Sequence, residues 1–280
     1  MSAVRSMTPS RAVTAVGNET LKGLRHGWAE RLQILIEMPL FVVFVLLMGF
    51  TIGEGESIVA DELDWSLETA RMSWLMIGFV TFSYTYLHVQ KVFWRLLAEI
   101  QTGTLEQTYL SPLPSWVHVV AGRVASAIAE TAIVVGVVYG VTSLFVHIDL
   151  RWRLAALAPL ALLIIGAAGL ALIIAGIALV WKRVMILNDL TLMLLMFFSG
   201  ALFPLAELPG WAQAIGGPIF MTHAVEALRI TMLEGASLPW SGVGGWFWTL
   251  VTAFGWFAAG LLVFRLCERI AQRDGSLSHF

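Results

Sequence analysis

Apolar residues dominate this chain in runs that are long enough to cross a membrane. Crossing the hydrocarbon layer takes about 20 apolar residues in an α-helix, and six stretches of roughly that length are present. They cover residues 34–53, 72–89, 117–146, 154–181, 184–203 and 243–266. The pattern therefore predicts an all-α polytopic membrane protein whose six transmembrane helices form a single domain, residues 34–266.

A different helical pattern precedes the first run. Leu21, Leu24 and Trp28 recur at helical spacing, with basic residues mostly on the other faces. This predicts an N-terminal amphipathic helix within the cytoplasmic segment 1–33, lying on the membrane surface and capped at Asn18. The alternative is that the first span begins early, as one long helix.

The distribution of basic residues predicts the orientation of the spans. Of the seventeen Lys and Arg residues, twelve fall on one side of the six runs, four fall on the other, and Arg123 lies within a run. The positive-inside rule places the richer side in the cytoplasm, together with both termini and the tail 267–280. We therefore expect a multi-pass protein of the plasma or inner membrane.

Composition supports a lipid environment and excludes several functions. The chain is 58% hydrophobic and 13% charged, with a mean hydropathy of +0.81, whereas soluble domains are about 45–50% apolar and about 25% charged. A net charge of −2 gives no reason to expect a nucleic-acid partner. One cysteine excludes an internal disulfide. His88, His118 and His147 share no metal-ligand spacing, so we expect them to be interfacial residues, with no metal site.

The sequence lacks the motifs of an enzyme that uses ATP. A phosphate-binding loop needs Lys followed by Ser or Thr, yet the three lysines precede Gly23, Val92 and Arg183. Neither a zinc-protease motif nor a nucleophile elbow is present. We expect no catalytic residue and no cofactor in this chain, with ATP and magnesium bound by a partner. An intramembrane enzyme and an ATP-independent channel or secondary transporter are remote alternatives.

Two acidic residues lie inside predicted spans, where a charge is costly. Glu130 is near the middle of the third span and Asp189 is near the cytoplasmic end of the fifth. Arg123 and Glu130 are two helical turns apart, too far for a direct pair, so each is expected to meet a residue of another helix. A structural ion pair and a contact with substrate explain Glu130 and Asp189 equally well.

Small residues recur along the third span. Such residues let helix backbones approach closely in a membrane, which is more often a matter of assembly than of chemistry. The pattern predicts close helix packing at Ala121, Ala125, Ala129, Gly136 and Gly140.

The cytoplasmic segment between the second and third spans predicts a short isolated helix. Gly103 ends the preceding helix, Thr104 and Gln107 have capping-box spacing, and Pro112 ends the short helix. This helix, residues 105–111, is shorter than two turns and needs a surface to dock against. An ordinary capped loop helix is the alternative.

Residues 204–241 are apolar enough to enter the membrane but are cut into short pieces. Pro204, Pro209 and residues 216–218 interrupt them, and Glu226 and Arg229 disfavour a seventh crossing. Two short helices that dip in from outside are expected, around residues 210–215 and 222–233. The alternative is a helical hairpin on the surface of the outer leaflet.

These two regions resemble the type-2 ATP-binding-cassette exporter permeases, the family of drug, nodulation-factor and polysaccharide exporters. The first match is Glu99 with residues 103–106 and 110–113, and the second is residues 198–204, 208–211 and 223–229. The resemblance implies that region 94–116 carries a coupling helix for a separate ATPase. The residues assigned to ATPase coupling are Glu99, Gly103, Thr104, Leu105, Glu106, Tyr109, Leu110 and Pro112.

The resemblance also implies that the re-entrant pair in region 204–241 caps the outer end of a transport path between two permease subunits. The residues assigned to this path are Glu130, Asp189, Phe203, Pro204, Trp211, His223, Glu226 and Arg229.

The function expected from these features is transport. The chain would be the transmembrane subunit of an ATP-driven exporter of an amphiphilic drug, lipid or glycolipid-like substrate. It would work as a homodimer with two copies of the ATPase subunit. Export of a polysaccharide or a teichoic-acid-type polymer is the alternative.

Overall fold

The computed structural model describes residues 9–29, 43, 47, 65–104, 122–145, 148–181 and 184–273, and every regular element in them is helical. The first predicted span and the predicted coupling helix lie outside the described residues, apart from positions 43 and 47. The helices are α1 (Pro9–Ala29), α2 (Trp65–Gln101), α3 (Arg123–Phe145), α4 (Leu157–Val180), α5 (Met185–Phe198), α6 (Gly210–Gly216), α7 (Phe220–Arg229) and α8 (Trp246–Arg273).

Three helices in the described part of the chain are long and apolar enough to cross a membrane. They are α3, α4 with its leading 3₁₀ turn Leu154–Ala156, and α8, which correspond to the third, fourth and sixth predicted spans. The second predicted span lies within α2, whose 37 residues extend about 55 Å, beyond a bilayer of about 40–45 Å. The fifth lies within α5, a shorter apolar helix. The count of six spans stays a prediction.

The N-terminal helix is longer than its pattern indicated. α1 begins at Pro9, a residue suited to the first helical position because its φ angle is already helical. Asn18 is therefore exposed in the middle of the helix, and its assignment as the cap was wrong. α1 packs against α3, with Gly23 buried and Leu21 half exposed.

A close backbone contact joins α4 to α8 through glycines. A Cβ atom at Gly169 would overlap the backbone at Trp256, and one at Gly260 would overlap the backbone of Gly169. Lipid tails are as apolar as the helix surface, so there is no hydrophobic driving force between helices in a membrane. Close backbone contacts instead supply the dispersion energy that holds the helices together. The two helices can approach this closely because neither carries a side chain at the crossing.

The glycines of the third span make no such contact with described residues. A Cβ atom at Gly136 or Gly140 would meet no atom within 4 Å, and both glycines are exposed in the described part of the chain. No described residue packs closely at these two positions, so close packing there, including packing against a second subunit, stays a prediction. Ala125 and Ala129 are half-buried, and Ala121 lies outside the described residues.

The short helix α7 lies in the core rather than on the surface. All of its residues are buried except Glu226, which is half-buried, and it packs on α2, α4 and α8. Phe220 at its start is almost fully buried and fills the space left by Gly166 of α4. This burial among three long helices favours a re-entrant helix over a hairpin on the surface. We call α7 the inserted helix.

Gly260→Ala should lower the free energy of unfolding by about 1–3 kcal/mol, because the added methyl group meets α4 backbone that cannot yield as a side chain would. Gly255→Ala on the same helix is the matched control. Its Cβ would meet no atom within 4 Å, so the better helix propensity of Ala should leave stability unchanged or slightly higher. Thermal unfolding of the detergent-purified chain measures both, and equal unfolding temperatures would contradict the proposed contact.

Candidate coupling and transport sites

A set of ion pairs joins α2 to α3 at the ends that flank segment 105–121. Arg123, the first residue of α3, donates a hydrogen bond from Nη2 to Oε2 of Glu99. Its side chain is only 4% exposed, whereas that of Glu99 is 22% exposed. The end of α2 before this segment and the start of α3 after it are thus held together by opposite charges.

A second group of pairs lies two turns further along the same helices. Lys91 Nζ is 3.1 Å from Oε2 of Glu130, and Arg95 donates to Oε1 of the same carboxylate. Arg95 also donates to Ser126 Oγ at 2.5 Å, and Ser126 donates to Glu130 at 2.9 Å. These residues and the first pair form the charge ladder, which consists of Lys91, Arg95, Glu99, Arg123, Ser126 and Glu130.

The N-terminal helix contacts the charge ladder at one glycine. Arg95 Nη2 donates to the carbonyl of Gly23 at 3.2 Å. A Cβ atom at Gly23 would overlap Ser126 Oγ, Glu130 Oε1 and Arg95 Nη1. Gly23 therefore lets α1 rest directly on the polar groups that join α2 to α3.

Glu99 has a second role in ending α2. Gly103 has a φ angle of 70°, and the Thr104 N–H donates to the Glu99 carbonyl at 3.1 Å while the Gly103 N–H donates to the Ile100 carbonyl at 3.3 Å. These bonds form a Schellman motif, which needs a residue free to adopt positive φ. The prediction that the helix ends just before Gly103 is confirmed. Leu105, Glu106, Tyr109, Leu110 and Pro112 lie outside the described residues.

The two acidic residues of the predicted spans have different surroundings. Glu130 is buried and paired with two cations, as expected of a structural partner. Asp189 is exposed on α5 and accepts a hydrogen bond from Asn188 Nδ2 at 3.0 Å. The same amide donates to Gln90 Oε1 at 3.1 Å, so buried Asn188 ties α5 to α2.

His88 is not an interfacial residue. It is fully buried on α2 and stacks on Tyr84, with the ring centroids 5.8 Å apart. Within the described residues neither ring nitrogen has a hydrogen-bond partner. The prediction failed because the run ends near His88 while the helix continues for three more turns. His118 and His147 lie outside the described residues.

Arg229, at the end of α7, is the most strongly held of the predicted path residues. It donates from Nη1 to the Gly200 carbonyl at 2.9 Å and from Nη2 to the Ala201 carbonyl at 3.0 Å. Its guanidinium carbon lies 3.3 Å from the centre of the Trp74 ring, a cation–π contact. A Cβ atom at Gly78 would overlap this site. Arg229 thus joins α7, α2 and the segment after α5.

His223, at the start of α7, is held by backbone groups. The Gly244 N–H donates to Nδ1 at 3.5 Å, so the proton sits on Nε2, which donates to the Gly217 carbonyl at 2.8 Å. Its ring stacks on Trp248 with the centroids 6.2 Å apart. His223 therefore fixes the turn before α7 and the loop before α8.

Of the remaining predicted path residues, Glu226 lies beside Arg229, whereas Trp211, Phe203 and Pro204 belong to the segment that precedes α7. Trp211 is 64% exposed and contacts the ring of Phe198 edge-on. Phe203 is exposed and Pro204 is half-buried. Glu226 Oε2 is 3.6 Å from Arg229 Nη1. The structure does not gather these residues into one pocket within the described part of the chain.

The sequence reasoning missed Lys91, Arg95 and Ser126. The signal was present, because basic residues at 91 and 95 with an acid at 99 mirror the order Arg123 then Glu130 on a helix that runs the other way. Antiparallel helices with charges in that order can place opposite signs side by side. The prediction that Arg123 and Glu130 each meet a residue of another helix agrees with this arrangement.

Comparison with known proteins gives one family match. The sequence model of the family described as ABC-2 type transporter matches residues 28–233. This range includes the charge ladder, the segment 105–121 and α7. No relative is found among curated proteins.

Arg229→Met should lower the free energy of unfolding by roughly 3 kcal/mol, the scale of two hydrogen bonds from a charged group. Arg229→Lys should restore little of this, because one ammonium cannot reproduce the two-pronged geometry. Glu207→Gln is the control, since that side chain is exposed and lies outside the contacts of Arg229. Thermal unfolding checks the series, and wild-type stability in Arg229→Met would show that the carbonyl bonds contribute nothing.

Proposed function

Because the chain belongs to the ABC-2 type transporter family, we propose that it is the transmembrane subunit of an ATP-driven exporter. Members of this family are membrane transport subunits that generally work with an ATPase partner. The proposed substrate is an amphiphilic drug, lipid or glycolipid-like molecule carried out of the cytoplasm or the inner leaflet. Two separate ATPase subunits would supply the energy.

The charge ladder is the observation that carries this proposal. Glu99 and Arg123 bracket the segment in which the coupling helix is predicted, and the ladder continues for two turns along both helices. A movement of segment 105–121 by a bound ATPase would therefore move α2 and α3 together. α1 would follow, because Arg95 bonds to the carbonyl of Gly23. An ordinary surface loop has no need of a buried charge at its base, and burying Arg123 there costs desolvation energy.

The exposed face of α5 supports a second permease subunit. Ile186, Leu190 and Met193 are among its exposed apolar side chains, and Asp189 lies exposed between them. Ionisable residues within membrane spans almost always face other helices or a water-filled cavity rather than lipid. We propose that this face meets a second copy of the chain, with the transport path between the two copies.

Export of a polysaccharide or teichoic-acid-type polymer remains the second candidate. The predicted outer loops at residues 54–71 and 147–153 are short, which favours a smaller amphiphile. Transport assays with chemically defined substrates, in vesicles that contain the chain and its ATPase, would distinguish the two classes.

Glu106→Arg should lower co-purification of the ATPase or separate ATP hydrolysis from efflux, since Glu106 is the proposed polar contact of the coupling helix. Tyr109→Ala and Gly103→Pro should have similar effects, the latter by destroying the turn that ends α2. Substrate-stimulated hydrolysis and efflux of the reconstituted complex are measured side by side. Glu207→Arg, the same charge change at an exposed position near α6, is the control.

The charge ladder adds a second arm to this experiment. Arg123→Glu alone places two carboxylates together and should reduce the substrate-stimulated hydrolysis, whereas Glu99→Arg combined with Arg123→Glu should restore it. Wild-type hydrolysis and efflux in all the single variants would mean that segment 105–111 is an ordinary loop helix. If the double variant does not restore substrate-stimulated hydrolysis, the charge ladder does not transmit the coupling between the ATPase and the transmembrane helices.

The proposed orientation predicts which single cysteines react with a membrane-impermeant reagent after Cys267→Ser. Cysteines at Ala60, Ile148 and Ala236 should be labelled in intact cells. Those at Thr104 and Ser276 should be labelled only after permeabilisation, because both lie on the side rich in basic residues. Labelling of Ser276→Cys in intact cells would overturn the arrangement with both termini in the cytoplasm.

A further inference from the structure

An open groove runs along α8 beside the predicted re-entrant pair. It has a volume of about 770 Å³. Trp248, Val251, Gly255 and Ala259 line its length and share one face of α8 by their helical spacing. Pro218, in the turn before α7, also lines it. The groove is therefore formed partly by α8, which is long enough to span a membrane, and partly by the inserted helix α7 and the turn before it.

The length of the groove matches one leaflet of a bilayer. The eleven residue steps from Trp248 to Ala259 extend about 16 Å at 1.5 Å per residue, and half of a hydrocarbon core of about 30 Å is about 15 Å. Trp248 is near the start of α8, where an indole sits well at the level of the lipid headgroups. In the proposed orientation this is the outer leaflet.

Polar side chains in the wall use their hydrogen-bonding groups within the protein. Both ring nitrogens of His223 are occupied by backbone groups. Thr252 donates to the Trp248 carbonyl at 2.7 Å, and the indole N–H of Trp256 donates to the Pro218 carbonyl at 2.9 Å. The deeper part of the groove therefore presents an apolar surface, which suits a hydrocarbon chain and gives a polar ligand nothing to bind.

The groove is also open to the surroundings of α8. Val251 is 46% exposed, and a Cβ atom at Gly255 would meet no atom within 4 Å. The neighbouring exposed residues on this helix, Phe254 and Leu262, are apolar, as expected of a face in contact with lipid. Hydrocarbon is thus the medium from which an occupant enters the groove.

We propose that the groove binds one acyl chain of a glycerophospholipid of the outer leaflet. The bound chain packs against α8 and against the turn at Pro218 that leads into α7. It fills the groove next to the inserted helix, where no described part of the protein packs. The assignment to the outer leaflet rests on the proposed orientation, and His223 of the predicted transport path forms part of the groove wall. The test detects lipid in the groove of the purified chain and needs neither transport nor an ATPase, so its failure is distinguishable from failure of the proposed function.

The test is photolabelling of the purified chain in nanodiscs of phosphatidylethanolamine and phosphatidylglycerol. The probe is a phosphatidylcholine with a diazirine in the middle of one acyl chain, and adducts are located by mass spectrometry of peptides. Adducts should concentrate on Val251 and Ala259 rather than on Phe254, which lies at a similar depth. Gly255→Phe, which fills the groove, should lower this labelling about tenfold, or 1.4 kcal/mol of binding.

Two variants keep the test interpretable. Ala259→Phe fills the groove from another position and should have the same effect if Gly255→Phe fails to fold. Gly136→Phe on α3 is the control, since its Cβ also meets no atom within 4 Å, and it should leave the labelling unchanged. Equal labelling of Phe254 and Val251 would mean ordinary contact with bulk lipid and would overturn the proposal.

A second copy of the chain is the competing occupant. Val251→Cys in a Cys267→Ser background would then form a disulfide-linked dimer on oxidation. That result would overturn the lipid site. A monomer under the same conditions, together with the photolabelling pattern, supports it.

Discussion

Three charged side chains are buried in the described part of the chain, and each of them is a point where separate segments are tied together. Arg123 and Glu130 join α3 to α2, and Arg229 joins α7 to α2 and to the segment after α5. A charge removed from water is stable only when opposite charges or polar groups surround it. The helices that supply those groups are therefore constrained to one arrangement, and the rest of the fold is built around α2.

Apolar contacts complete the fold by a different principle. Between α4 and α8 there is no charge to satisfy, and the approach of Gly169 to Gly260 depends on the absence of side chains. Around α7 the reverse holds, because the large ring of Phe220 occupies the space left by Gly166. Shape thus determines the contacts between α4 and α8 and at Phe220, whereas charge determines them at the base of segment 105–121 and at Arg229.

The sequence predicted the features that depend on local chemistry. Run length indicated α3, α4 and α8, and the freedom of Gly103 to adopt a positive φ angle indicated the end of α2. It did not predict which face of a helix meets a neighbour within the chain, and among the described residues Gly136 and Gly140 make no close contact. His88 shows the same limit, because the end of an apolar run is not the end of a helix. The charge ladder was readable only once α2 and α3 were known to lie side by side and antiparallel.

The unbroken length of α2 has a mechanical consequence. This one helix contacts Arg229 through Trp74 near its first end and Arg123 through Glu99 near its last. The two contacts are 25 residues apart on α2, about 38 Å at 1.5 Å per residue, so a tilt of about 6° about one of them would displace the other by roughly 4 Å. A small rotation at the charge ladder would thereby reach the inserted helix as a translation, without any change in the internal hydrogen bonds of α2.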